Sequence, residues 1–237
     1  PDKELGPLVK TVMTRCIHCT RCVRFADEIA GVPELGATGR GEEMEIGTYI
    51  EQALSSELSG NLVDICPVGA LTSKPYAFAA RPWELQKTES IDVLDAVGSN
   101  IRVDARGGSV LRAMPRLHED VNEEWLADKS RFAVDGLRRQ RLDRPYVRDA
   151  PGKLKPATWP EAFAAIATKI TATNPSRVGA ILGDQADAET AFMLKSLLAN
   201  VGSVNMDCRQ DGAKLDTSTR AAYLFNPTIA GIEQADA

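Results

Sequence analysis

The sequence predicts three units in succession: a small α+β module, a small β-rich domain, and the start of an α/β domain built on a parallel sheet. Three observations carry this. A cysteine-rich loop near the N-terminus runs into short interleaved helical and extended patterns. Two β-rich runs in the middle flank a Gly-Gly turn. Towards the C-terminus a capped helix, a short apolar strand, a glycine turn and a long helix follow one another. The boundaries expected from these patterns are residues 1–86, 87–150 and 151–237.

The first unit is organised by its thiols. Cys16, Cys19 and Cys22 stand at C-x2-C-x2-C spacing within Thr14-Arg-Cys-Ile-His-Cys-Thr-Arg-Cys-Val-Arg-Phe25, and the distant Cys66 is followed at once by Pro67. A near triple plus one remote Cys-Pro is the ligand pattern of a four-iron, four-sulfur cluster. Such a loop can wrap three corners of the cluster while the last thiolate arrives from elsewhere. Pro67, with its fixed φ, turns the chain away after that ligand. Structural zinc is the rival occupant, but it favours two C-x2-C pairs. A disulfide framework is poorer still, since five cysteines is ordinary usage for a reduced compartment in a chain of 237 residues. A two-cluster ferredoxin would place a further cysteine just beyond the triple, where Ala26 stands. One 4Fe-4S cluster on Cys16, Cys19, Cys22 and Cys66 is therefore the expected cofactor, and the module is expected to be ferredoxin-like. His18, between two ligands, is expected to be a partly exposed neighbour of the cluster rather than a ligand.

The elements follow in order. Val23, Ala26, Ile29 and Ala30 lie at helical spacing and Gly31 can end the helix. Residues 43–50 alternate polar and apolar after a glycine-rich stretch and read as a strand, and the segment 59–66 returns Cys66 to the loop. In the second unit, β-rich runs start at Ser90 and Asn100, and Arg106-Gly-Gly-Ser109 reads as a hairpin turn. Residues 121–132 read as a short helical or turn segment. The arginine-rich stretch 137–148 reads as a solvated linker rather than an anion-binding patch. In the third unit Thr158 caps a helix over 159–170, with Pro160 in its first turn and Glu161 three residues after the cap. Residues 177–182 read as a buried strand and 186–201 as a helix. Cys208 is expected to be a buried or half-buried free thiol.

Composition excludes several functions. Hydrophobic residues make up 43% of the chain, enough for a sizeable core. The net charge of -5 gives no basic field for nucleic acid, so no nucleic-acid partner is expected. No apolar run approaches the ~18 residues of a membrane span. No G-x-G-x-x-G fingerprint, P-loop, catalytic triad or paired-carboxylate site is present, so no catalytic residue is assigned. The chain starts without Met and is expected to be a fragment of a longer protein.

Three stretches give the chain a specific resemblance. Met13-Thr-Arg-Cys-Ile-His-Cys-Thr-Arg-Cys22, Glu57-Leu-Ser-Gly-Asn-Leu-Val-Asp-Ile-Cys-Pro-Val-Gly-Ala-Leu-Thr-Ser-Lys-Pro-Tyr76 and His118-Glu-Asp-Val-Asn-Glu-Glu-Trp125 resemble the large, G-type iron-sulfur subunit of respiratory complex I. The resemblance implies a subunit of a proton-translocating NADH:quinone oxidoreductase, relaying electrons from NADH and flavin through the cluster toward quinone. It implies as partners the flavin- and NADH-binding subunit and the quinone-side iron-sulfur subunits. It also implies a place in the peripheral arm, on the cytoplasmic side of a bacterial inner membrane or the matrix side of the mitochondrial one. Further 2Fe-2S and 4Fe-4S clusters are expected only in the family's N-terminal part. The second and third units resemble molybdopterin oxidoreductases, and a molybdopterin-dependent enzyme such as a formate dehydrogenase is the alternative reading. In those relatives the second unit binds a cubane. Here Asp92, Asp95, Ser99 and Ala127 stand at the matching ligand positions, so this domain is expected to have lost its cluster. Arg15, Arg21 and Arg24 flank the first-unit ligands, where they either favour the reduced cluster or form surface salt bridges.

Overall fold

A computed structural model describes residues 1–208, 214, 216–224, 228–232 and 234. The chain divides into two compact units, Pro1–Arg139 and Gln140–Ala237.

In the first unit, strand β1 (Val9–Thr11) leads into a single 3-10 turn (Met13–Arg15) and then the cysteine loop. Helix α1 (Arg21–Arg24) follows and widens into a π turn over Phe25–Ile29, ending near Gly31 at φ +65°. The helix begins two residues before Val23, the first position of the apolar spacing, because Thr20, at φ +58°, already turns the chain into it. The alternation over 43–50 gives a strand, but a shorter one, β3 (Glu45–Gly47). Its partner β2 (Gly36–Thr38) comes from the glycine-rich stretch before it, for which the sequence predicts no element. Helix α2 (Asn61–Ile65) ends at Cys66, and β4 (Leu71–Ser73) then pairs antiparallel with β1.

A three-stranded antiparallel sheet follows: β5 (Gln86–Ile91), β6 (Asn100–Arg106) and β7 (Ser109–Pro115) in that order. The hairpin at Gly107-Gly108 is where the sequence places it, with Gly107 at φ +58°. The first strand is displaced from its expected position. It runs over 86–91, while the apolar Val93 and Val97 lie exposed beyond its end, Val97 in a turn. On β6, Asp104 has no exposed side chain. It accepts from Arg102 Nε (2.9 Å) and, directly across the ladder, from Arg112 Nε (2.7 Å). Arg112 also lies over the Tyr76 ring, 4.5 Å from its centroid, and so joins the sheet to the end of the cysteine module. Turns over 118–125 lead to helix α3 (Asp128–Phe132).

The main core of this unit is Leu5, Val9, Phe25, Ala26, Leu35, Leu62 and Leu71, with Cys22, Cys66 and Trp125 packed against it. Trp125 stacks obliquely on Phe25 with ring centroids 4.9 Å apart. An aromatic contact of this kind adds about 0.5–1.5 kcal/mol beyond the area it buries.

In the second unit, the hairpin β8 (Tyr146–Arg148) and β9 (Leu154–Pro156) precedes helix α4 (Trp159–Thr171). The cap is the predicted one: the Thr158 amide donates to Glu161 Oε2 at 2.7 Å, and Pro160 sits in the first turn. Strand β10 (Gly179–Ile181) pairs in parallel with β11 (Asn205–Asp207) through helix α5 (Ala188–Val201). Asp187 caps α5 by accepting from the Thr190 amide at 2.7 Å, and Gly202 closes it at φ +82°. The strand read as buried is instead largely exposed, with Ile181 at 71%. Among the described residues it has one strand beside it, and the buried apolar residues of this unit are Ala162 and Leu198. Cys208, just past β11, is exposed rather than buried. Among the described residues no helix is long and apolar enough to cross a membrane.

Candidate metal centre

The four thiols of the sequence pattern meet at one place. Cys16, Cys19, Cys22 and Cys66 line a single cavity, whose other walls include Met13, Ile17, Ile46, Val68 and Leu71. Two pieces of local structure bring them there. The β1–β4 ladder continues past its last strand pair with a bond from the Val12 amide to the Ala70 carbonyl (2.8 Å). From that bond the chain reaches Cys16 in one direction and Cys66 in the other. Then the loop coils: His18 and Thr20 adopt the left-handed conformation at φ +52° and +58°, on either side of Cys19. Left-handed residues in succession with ordinary ones tilt backbone N–H groups into a concavity that suits anionic groups, iron-sulfur clusters among them.

Cys16 closes the 3-10 turn, donating its amide to Met13 (2.9 Å), and its Sγ accepts from the His18 amide at 3.4 Å. His18, which contributes this amide, is half-buried. Cys22 lies in the first turn of α1 and packs on the core. Burial, with smaller pushes from the nearby Cys19 and Cys16, raises its thiol to about 11. Without iron it stays protonated at neutral pH, and metal binding would have to displace that proton. Cys19 is the exposed member. Of the flanking arginines, Arg24 pairs on the surface with Glu28 at 3.0 Å, Arg21 lines the cavity, and Arg15 lies near Gly69.

The donor set fits a four-iron cluster. Four thiols and no carboxylate line the cavity, its other walls are mostly apolar, and the His18 N–H turns toward the Cys16 sulfur. Among the described residues no three His, Cys, Asp or Glu side chains are arranged to hold a single metal ion. A cubane places its four thiolates around a larger body. The apolar walls escaped the reading of the sequence, although the alternation over 43–50 does place Ile46 on an inward face.

Asp92, Asp95, Ser99 and Ala127, all in the first compact unit, are drawn into bonds of their own. The Ser130 hydroxyl donates to Asp92 Oδ2 (2.5 Å), Lys129 pairs with Asp95 (2.9 Å), and the Asp92 amide donates to the Ser99 carbonyl (2.8 Å). Ala127 caps α3. Two carboxylates already engaged, a serine and a methyl group do not fit an iron-sulfur core.

Comparison with known families indicates a chain made of ferredoxin-like, 4Fe-4S and molybdopterin-oxidoreductase domains. Residues 6–72 match the family described as NADH-quinone oxidoreductase subunit 3, ferredoxin-like domain, and residues 85–135 match NADH-ubiquinone oxidoreductase NDSU1/NuoG-like, 4Fe-4S domain. Residues 141–237 match molybdopterin oxidoreductase. Over nearly its whole length the chain is homologous to the large, G-type iron-sulfur subunit of NADH-quinone oxidoreductase. It is 59% identical to the G-type subunit of the Rickettsia conorii NADH-quinone oxidoreductase over 99% of this chain and 35% of that one, and 58% identical to that of Rickettsia bellii over 99% and 34%. It is 56% identical to the Solanum tuberosum NADH dehydrogenase (ubiquinone) iron-sulfur protein 1, mitochondrial, over 100% of this chain and 32% of that one. The chain thus spans about a third of the length of these relatives.

Proposed function

We propose that the chain is the electron-relay portion of an NADH:quinone oxidoreductase and holds one 4Fe-4S cluster on Cys16, Cys19, Cys22 and Cys66. The observation that carries this is the meeting of the four thiols at one apolar cavity. Bound there, the cluster would supply one-electron acceptance and release. The cysteines bind it, the His18 amide stabilises thiolate charge on Cys16, and Met13, Ile46 and Leu71 keep water from its inner side. Cys19 and the 59%-exposed Ile17 leave one side open, a route for electrons to and from neighbouring redox groups.

The partners in this reading are the complex I subunits that oxidise NADH on flavin and that deliver electrons to quinone. The location is the peripheral arm, on the cytoplasmic or matrix side. Similarity to the G-type complex I chains favours this over a formate dehydrogenase. The second domain acts as a spacer without a cluster, and the third begins an α/β domain on the β10–β11 parallel pair. Anaerobic reconstitution tests the reading. The chain should take up four irons and four sulfides and develop visible absorption that bleaches with dithionite. A colourless chain that binds one zinc instead would overturn it.

A further inference from the structure

Cys66 reaches the cavity alone, at the end of α2, so its position depends on how that helix is held. Five residues cannot hold themselves, since isolated helices are marginal below ~12–15 residues. Gly60, at the N-cap, has no side chain to offer. The restraint comes from residues 126–131. Asp128 accepts from the Gly60 amide (2.7 Å) and the Ser59 hydroxyl (2.6 Å), while its own amide donates to Glu57 (2.7 Å).

Asn61 has no exposure at all. Its amide nitrogen donates to the carbonyls of Leu58 (2.9 Å) and Leu126 (3.0 Å), and its oxygen accepts from the Leu126 amide (3.0 Å) and from Arg131 Nη2 (2.8 Å). That exhausts what a carboxamide can make. Arg131 Nη2 reaches on to Asp64 Oδ2 at 2.7 Å, two residues before Cys66. Asn61 and Asp64 lie at i and i+3, on one face of α2. The guanidinium therefore grips both ends of the helix from the same side.

Arg131 is only 6% exposed. Burying a guanidinium carries a large desolvation penalty, and an apolar side chain of similar volume would often be as stable. What the arginine adds is direction, because one planar group fixes two polar atoms of α2 at once. We infer that Arg131, acting through Asn61 and Asp64, is a positioning residue for the Cys66 ligand. The second domain thereby governs the geometry of a cluster in the first. This rests on the cluster reading proposed above.

The test uses the anaerobically reconstituted chain and three variants, Arg131→Lys, Arg131→Met and Asp104→Asn. The last is a destabilised control, altered in a buried ion pair of the sheet. Each is examined for thermal unfolding, for the paramagnetic resonance line shape of the dithionite-reduced cluster, and for iron loss to a ferrous chelator. Arg131→Met is expected to lose iron roughly tenfold faster than wild type, in line with the effect of removing partners of metal ligands, and to change the line shape. Asp104→Asn should keep the wild-type line shape and rate when compared at the same interval below its own Tm. Equal rates and identical line shapes in the Arg131→Met and Asp104→Asn proteins would overturn the inference. Should Arg131→Met not fold, Arg131→Lys decides by the same comparison, because it keeps the charge and loses the two-way grip. A wild-type chain that takes up no four-iron cluster would instead overturn the reading on which the inference rests.

Discussion

The Val12 amide donates to the Ala70 carbonyl at 2.8 Å, and Cys16 and Cys66 each lie four residues from that bond, one on either strand. A two-stranded ladder of three residue pairs is thus the frame on which a local triple and a remote single cysteine become one site. The remote cysteine has the weaker local support, since its three counterparts share one loop.

The first prediction concerns that asymmetry. Cys66→Ala should lower iron incorporation or leave a labile cluster, because one iron corner loses its thiolate. Cys208→Ala should leave iron content unchanged, since Cys208 lies in the other compact unit and is exposed. Iron and sulfide analysis after anaerobic reconstitution decides. Loss on Cys208 replacement with Cys66 replacement harmless would reverse the ligand assignment.

Gly60 should tolerate no side chain. A Cβ there would lie 2.6 Å from Arg131 Cδ and 2.7 Å from Asp128 Oδ1. Arg131 is held by Asn61 and Asp64 and cannot swing aside without breaking those bonds. Gly60→Ala is therefore expected to destabilise the first unit by about 1–3 kcal/mol, the usual cost of overpacking. A denaturant titration showing no loss would mean that residues 128–131 are not fixed against α2.

Acid should weaken the antiparallel sheet through Asp104. Burial alone would raise its carboxyl, but the hydrogen bonds from Arg102 and Arg112 outweigh burial and hold it below the ordinary range. A carboxylate with a lowered folded-state value stabilises the protein above its unfolded value, near pH 4, and that contribution is lost as the pH falls through the folded value. Asp104→Asn should cost about 1–3 kcal/mol at neutral pH, as expected for losing hydrogen bonds to charged groups. The gap between variant and wild type should close in acid. A gap independent of pH down to the acid transition would show that the two arginines do not depend on the Asp104 charge.

What the sequence made legible is what short-range chemistry determines. The Thr158–Glu161 cap, the Gly107-Gly108 hairpin and the C-x2-C-x2-C loop each involve residues a few positions apart, so local pattern is enough. The anchoring of α2 was not legible, because Asn61 meets its partner Leu126 65 positions away and neither residue carries a motif. Nor was β2, whose small Gly36, Ala37 and Thr38 are strand only by virtue of pairing with β3. The stretch after Ile91 misled in the opposite sense. Val93 and Val97 look like strand residues, yet they stand 73% and 50% exposed outside any strand, because Asp92 and Asp95 are drawn to Ser130 and Lys129 instead of to a ladder.

The last prediction concerns those same residues. Asp92, Asp95, Ser99 and Ala127 stand where the resemblance to molybdopterin oxidoreductases puts cubane ligands, and residues 85–135 match a 4Fe-4S family. In this chain each position has another occupation: Asp92 accepts from Ser130, Asp95 holds Lys129, Ser99 gives its carbonyl to the Asp92 amide, and Ala127 opens α3. Hard carboxylate oxygens do not suit a soft iron-sulfur core, and a methyl group offers no electron pair. In that domain α3 and the turn before it carry the Asp128 and Arg131 contacts that hold α2. With Cys16, Cys19, Cys22 and Cys66 all replaced by Ala, the folded chain should retain no iron-sulfur cluster. Its helix and strand content should persist, since the contacts of residues 126–131 with α2 involve none of the four thiols. Iron analysis together with circular dichroism checks both halves. A cubane signal surviving in the quadruple variant would show that the second domain still binds a cluster.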